Sequence, residues 1–267
     1  MNQLVLSLFP GIDLFGRGFE EEGFCVVRGP DLIFGGDVVR FNAPAGRFDG
    51  VIGGSPCPDF SRARRGVPSG DGIRMLGEFR RVVEQARPAW WLLENVPGCP
   101  DLRIDGYGYQ RIDLDARDVG MRQRRLRHFQ FGHVDGVPLV LPRTSSARTG
   151  GEATCVAVEA GKSDRRDWST FCELQGLPRS FELPSFTLSA RYRAVGNGVP
   201  VPMACFLARA VLGLGATPEV RLCECGCARP VDGRAMYAGV SCRKRAQRKR
   251  DGAGVTGGSS VTVTDLV

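Results

Sequence analysis

Three short apolar runs, at residues 4–9, 48–52 and 90–93, each stop at a loop that carries glycine, proline or a carboxylate. Runs this short do not suit long buried helices, and strands that are apolar on both faces belong in a sheet covered on both sides. Between them, residues 14–22 read as a helix closing at Gly23, residues 24–27 as a further strand, and residues 72–85 as a helix with apolar positions at helical spacing. Strands alternating with helices predict an α/β fold built on a parallel sheet. Helical pattern returns at residues 168–175 and 202–214, and Phe129 and Phe131 alternate as in a strand. Ligands of open α/β sheets sit beyond the carboxyl ends of the strands. Phe9, Pro10, Gly11, Asp31, Asp37, Cys57 and Glu94 all fall at or just after such ends.

Cys57 stands between Pro56 and Pro58, after Gly53, Gly54 and Ser55. A strand that stops at glycines and presents a thiol on a rigid loop is suited to aiming a nucleophile. The plain alternative is a structural thiol, since free cysteine is among the most buried residue types. Glu94 ends an apolar strand, where a carboxylate is costly without a partner or a task; a Glu simply reaching the surface is the plain alternative. Asn95-Val96-Pro97-Gly98 makes a second rigid loop at the same edge. Gln123-Arg124-Arg125-Leu126-Arg127 reads either as a basic turn before a strand or as guanidinium forks suited to phosphates and base edges.

Composition sets the surroundings. The 267 residues allow one full domain plus a small appendage. No apolar run approaches the roughly 20 residues of a membrane span, and the N-terminus lacks a signal peptide's basic start and cleavage site. A cytoplasmic protein with no membrane association is therefore expected. Ten cysteines in that compartment point to thiol chemistry or metal rather than disulfides. Four of them, Cys223, Cys225, Cys227 and Cys242, crowd into residues 219–250, where nine Arg or Lys face three acids, +6 of the chain's net +7. Such a segment is either a binder of polyanions, nucleic acid first, or a solvated tail.

In order and approximate spacing, Phe9-Pro10-Gly11, Ser55-Pro56-Cys57, Glu94-Asn95-Val96, the 123–127 segment and Gly196-Asn197-Gly198-Val199-Pro200 resemble the motifs of the DNA (cytosine-5)-methyltransferases, over residues 4–212. The resemblance implies a Rossmann-like, S-adenosylmethionine-dependent methyltransferase fold and methylation of a flipped cytosine in duplex DNA. Cys57 would add to C6 of the base and Glu94 would engage N3, which requires a carboxyl pKa raised by burial. Arg127 would hold O2, and Arg125 would tether the catalytic loop and its partners. Phe9, Pro10, Gly11, Ile12, Asp31, Asp37 and Pro56 would bind the cofactor, closed from the far end by Asn197, Gly198 and Val199. Ser61, Gln123, Arg143, Arg148 and Lys162 are the candidate DNA contacts.

The chain departs from the family pattern at Asp13 and Leu14, where the second glycine of the first motif and its neighbour usually lie, and at Ser55 and Pro58 in the nucleophile loop. The ninth motif is recognisable in Leu174-Gln175-Gly176-Leu177-Pro178, with its arginine placed at Arg165 or Arg166. The expected organisation is a catalytic core at 1–133, a small irregular target-recognition insert at 134–163, and a return to the core at 164–218. A Cys-rich basic appendage at 219–250 and a disordered tail at 251–267 follow. The four appendage cysteines resemble zinc-binding tails, although C-x-C spacing strains two ligands onto one metal; reduced, unliganded cysteines are the alternative. A monomer acting on duplex DNA, as in restriction-modification, is expected. Two other readings stay open: the same residues methylating RNA, and a methyltransferase-fold regulator that binds DNA without turnover.

Overall fold

The computed structural model describes residues 3–56, 58–61, 67–142, 151–214, 222–227, 229, 231 and 235–253. Cys57, Arg143 and Arg148 lie outside the described residues. Strands β1 (Leu4–Leu8), β2 (Cys25–Arg28), β3 (Gly50–Gly54), β4 (Trp90–Asn95), β5 (Gln110–Asp115) and β6 (Leu126–His133) form one sheet in the order β2-β1-β3-β4-β6-β5. The helices are α1 (Leu14–Glu21), α2 (Asp71–Ala86), α3 (Trp168–Leu174), α4 (Leu188–Asn197), α5 (Val201–Leu212) and α6 (Val240–Ala253).

The sheet is mixed, which corrects the expectation of a parallel one. β1 to β4 are parallel, but β6 runs antiparallel to β4 and β5 antiparallel to β6. A parallel return needs a long crossover, usually a helix. Residues 96–109 hold none, and β5 and β6 are joined through a single 3-10 turn, Ala116–Val119. β5 escaped the sequence reading because only Ile112 and Leu114 of Gln-Arg-Ile-Asp-Leu-Asp are apolar, the half-polar alternation of an edge strand.

Helices cover both faces. Phe15 and Phe19 of α1 and Met203, Leu207 and Val211 of α5 pack with Val5, Ile52, Leu92 and Phe129. On the other face Leu76, Phe79 and Val83 of α2, at helical spacing, meet Leu6, Leu8, Val51 and Trp91. The two tryptophans of β4 point to opposite faces and need glycine beside them: a Cβ at Gly50 would lie 2.1 Å from the Trp90 ring, and one at Gly132 2.3 Å from Trp91. α1 and α5 cross closely, since a Cβ at Gly18 would stand 2.3 Å from that of Ala204. The late segment thus belongs to the same core as the first helix.

Among the described residues one helical stretch, Leu188–Leu212, has the length and hydropathy of a membrane span. It is broken between α4 and α5, and 72% of its apolar window is buried in the core. The segment expected as an insert is anchored at both ends. Leu139 and Leu141 lie in the core beside α5, with Leu139 and Gln110 exchanging two hydrogen bonds, and Cys155 packs with Phe171 and Tyr192. The expected tail boundary also shifts, because α6 runs on to Ala253.

Candidate active site

At the end of β1 the chain turns through three left-handed residues, Phe9, Gly11 and Asp13, with φ of 53°, 55° and 55°. Aspartate tolerates that conformation better than most residues. Asp13 is also the N-cap of α1: its Oδ1 accepts from Gly16 N at 2.9 Å and from Ser7 Oγ at 2.8 Å. Its Oδ2 lies 3.0 Å from Arg28 Nε. Burial nevertheless pushes this carboxyl above the usual range. The departure at this position therefore produces a capped, buried turn.

Asp31 fastens that turn from the next strand end. Its Oδ2 accepts from Gly11 N at 2.8 Å and its Oδ1 from Ile33 N at 2.9 Å. Each oxygen keeps lone-pair capacity for a ligand hydroxyl. In front of Gly11 is open space, the nearest atom to an added Cβ being Ile33 Cδ1 at 3.9 Å. Leu32, Ile33 and Phe34 are 79%, 52% and 72% exposed, an apolar run beside the acid. Turn, acid and apolar run together suit a ligand with a diol and a flat, weakly polar ring. The sequence reading missed this run, whose only signal is three apolar residues after Asp31 with no strand partner. Asp37 is exposed and accepts from Val39 N, and Pro56 is exposed past the end of β3.

Glu94 lies at the carboxyl edge of β4, buried, with its Oε1 3.0 Å from Arg127 Nε. Because β6 is antiparallel to β4, Glu94 faces Phe129, and Arg127, two residues earlier, emerges on the same face. Burial pushes the Glu94 carboxyl above its ordinary value, against the opposing charges of Arg127 and Arg125. On the other face, Asn95 Nδ2 donates to Ser55 O at 3.1 Å and to Ser55 Oγ at 3.0 Å. Ser55 precedes Cys57 by two residues in the sequence, so Asn95 pins one end of the thiol loop. Beyond Cys57, Asp59 accepts from Ser69 N and Gly72 N at the start of α2, fixing the loop's far side. Asn95 was read from sequence only as part of a rigid loop, and Asp59 was not singled out; a polar residue next to proline, as Asp59 is to Pro58, is a signal shared by many surface turns.

Arg125 is fully buried. Its Nη1 donates to Cys155 O at 3.0 Å and its Nη2 to Gly196 O at 3.0 Å and Gly198 O at 2.9 Å. It ties the start of β6 to the α4–α5 turn, which meets α1 so closely that a Cβ on Gly198 would stand 2.7 Å from Leu14 Cδ1. Arg125→Ala is expected to leave three carbonyls short of a donor and to lower unfolding stability by about 3 kcal/mol or more, read as a lower urea midpoint at unchanged m. Arg125→Lys should recover only part of the loss, because an ammonium lacks the fork.

Gln123 is a correction. It is wholly buried, donating to Leu174 O and to Gln175 Oε1 and accepting from Cys155 N. That position holds the core together and offers no surface to DNA. Gln175 in turn donates to Val195 O at 2.6 Å. Of the motif placed at Arg165 or Arg166, it is Arg166 that is engaged, pairing with buried Glu159 at 2.8 Å. Ser61 is half-buried, Lys162 exposed, Asn197 exposed, and Val199 buried within the core.

Comparison with known proteins gives the same direction. Residues 36–152 match the family described as C-5 cytosine-specific DNA methylase. The type II methyltransferase M.HgiDI of Herpetosiphon aurantiacus is 33% identical over 96 residues, 32% of this chain and 31% of that protein. M.NgoPII of Neisseria gonorrhoeae is 27% identical over 162 residues, 48% of this chain and 47% of that protein. The chain thus spans less than half the length of these relatives. Among solved structures, an Entamoeba histolytica methyltransferase superposes with a TM-score of 0.60 at 9% identity, covering 79% of this chain and 98% of that one. A putative DNA modification methyltransferase from an E. coli prophage does so at 0.56 and 17% identity, covering 80% and 99%. The fold is that of the Rossmann-like methyltransferases.

Proposed function

We propose that this chain, which matches the C-5 cytosine-specific DNA methylase family over residues 36–152, methylates cytosine at C5 in duplex DNA, with Cys57 as nucleophile and Glu94 as acid. The observation that carries this reading is the carboxyl edge itself. Glu94 is buried and paired with Arg127 across β4 and β6, while the next residue, Asn95, grips the loop that leads to Cys57.

Cytosine C5 is a poor nucleophile until the ring is opened to addition. The Cys57 thiolate forms a bond to C6, and Glu94 gives a proton or strong hydrogen bond to N3, so that the electron pair of the C5–C6 bond becomes available at C5. S-adenosylmethionine, which the 9–13 turn, Asp31 and the Leu32–Phe34 run fit, supplies an electrophilic methyl group when bound. Loss of the C5 proton then restores the double bond and expels the Cys57 thiolate. Arg127 pairs with Glu94 and in this reading would hold the base at O2. Such addition requires the base to be flipped out of the duplex.

Transfer of tritiated methyl from S-adenosylmethionine to duplex DNA tests the reading, and bisulfite sequencing of DNA from expressing cells gives the sequence context. Label in tRNA with none in DNA would move the reaction to RNA. No label in either would overturn the assignment.

A further inference from the structure

The C-terminal segment holds a cluster that this chemistry does not use. The sulfurs of Cys223, Cys225, Cys227 and Cys242 all lie within 4.8 Å of one another, and each residue is at most 3% exposed. Cys223–Cys225 and Cys227–Cys242 are 3.5 and 3.8 Å apart. A disulfide needs ~2.05 Å, whereas a tetrahedron with metal–sulfur bonds of ~2.3 Å has edges of about 3.8 Å. The strain expected of C-x-C spacing is relieved by a turn: Gly226, at φ 83°, lets its N–H reach Cys223 O at 3.1 Å.

The sulfurs are most of the core here. Only Val231, Ala246 and half-buried Tyr237 pack with them among the described residues, too little apolar area to order a segment of this length. The surroundings suit negative sulfur. Ala238 N–H points at Cys223 Sγ from 3.2 Å, and Arg245 Nη1 lies 4.0 Å from Cys225 Sγ. Such donors offset the double negative charge of four thiolates around a divalent ion.

We propose that these four thiolates hold one Zn²⁺, and that the ion fastens α6 to the edge strand β5. A set of four thiolates selects soft or borderline ions over Mg²⁺ and Ca²⁺. Cys242 sits in the first turn of α6, and one turn later Arg245 Nη2 reaches Asp113 Oδ2 on β5 at 2.8 Å. Arg229, between the third and fourth ligands, pairs with Asp118 at 2.9 Å and donates to Asp113 O at 3.3 Å. Arg245 therefore spans from ligand sulfur to sheet. A cavity lined by Tyr109, Phe131, Leu222 and Cys223 lies between the cysteine turn and the sheet. A 14-residue helix with only Cys242 and Ala246 buried among its described side chains does not hold itself in place. The inference does not depend on the methylation reading.

Metal analysis of the full-length protein should give close to one equivalent of zinc. Less than about half an equivalent after metal-replete expression, or iron in its place, overturns the zinc assignment. Co²⁺ exchanged into the site should show thiolate-to-cobalt charge-transfer bands and a tetrahedral ligand field. Cys242→Ser should weaken the charge-transfer bands; an unchanged spectrum removes Cys242 from the ligand set. Chelation should lower hydrogen-exchange protection of α6 at least about tenfold while β1 and β4 stay protected. Asp113→Asn should loosen α6 with zinc retained. Unaltered protection of α6 after metal loss overturns the fastening role.

Discussion

Cys57→Ala is expected to stop methylation, lowering turnover by at least about 10⁴-fold, because in the proposed mechanism the Cys57 thiolate is the group that activates C5 of the ring. A duplex carrying 5-fluorocytosine reads the step directly. Fluorine at C5 cannot leave as a proton does, so the wild-type thiol stays bonded to C6 and a denaturation-resistant adduct accumulates with cofactor; the alanine variant should form none. Substitution by Cys155, Cys172 or Cys205 is disfavoured in the fold: burial pushes Cys155 up to about 11 and Cys172 and Cys205 up to about 12, leaving little thiolate at neutral pH. An adduct that persists in Cys57→Ala would transfer the role elsewhere and sink the assignment.

Glu94→Gln is expected to cost about 10²- to 10⁴-fold in kcat with the fold intact. Two influences oppose each other at this carboxyl. The Arg127 guanidinium at 3.0 Å favours the anion, and burial favours the acid; burial prevails and the pKa is raised. Glu94 therefore keeps its proton to higher pH than an exposed glutamate, as the proposed donor to N3 requires. As pH climbs through the raised value, the acid is lost and the rate should fall, a limb that Glu94→Gln should lack. Stability follows the same sign. A carboxyl whose folded pKa exceeds its unfolded one contributes stability that is fully present below the ordinary glutamate value of 4.5 and is lost as pH rises through the folded value. The wild type should lose unfolding free energy over that window, and Glu94→Gln should show a shallower loss, with Asp13 supplying part of the remainder. Equal slopes for both proteins would show that Glu94 is not raised.

Removal of the chain beyond residue 218 bears on a different term. α6 exposes Arg243, Lys244, Arg248 and Arg250, cations suited to sequence-independent pairing with phosphates. Truncation should weaken DNA binding and flatten its dependence on salt, by roughly one unit of log–log slope for each phosphate that the helix neutralises. An unchanged slope would leave the helix without that role.

Much of this was legible in the sequence. Residues 90–93 read as a fully apolar strand, and the structure extends it by Glu94 and Asn95 into β4. Turn and acid placements at Gly11 and Asp31 followed from strand ends, and the carboxylate tethers the turn. Other residues were misread because type does not reveal burial. Gln123 looks like a surface reader beside arginines, yet its amide is consumed by Leu174 and Gln175, residues about fifty positions away. Asp13 looked like a flaw in a glycine turn until its carboxylate met Ser7, Gly16 and Arg28.

By itself the sequence determined the order of the motifs and the apolar strands, because local composition dictates local backbone. The direction of β6 was decided only in the tertiary structure. Side chains alternate with a period of two whichever way a strand runs, so the pattern around Phe129 and Phe131 is silent on sense. Without a helical crossover after β4, the chain returned through β5 and entered β6 antiparallel. That reversal brings the first residues of β6, not the last, to the carboxyl edge, and it sets Arg127 beside Glu94.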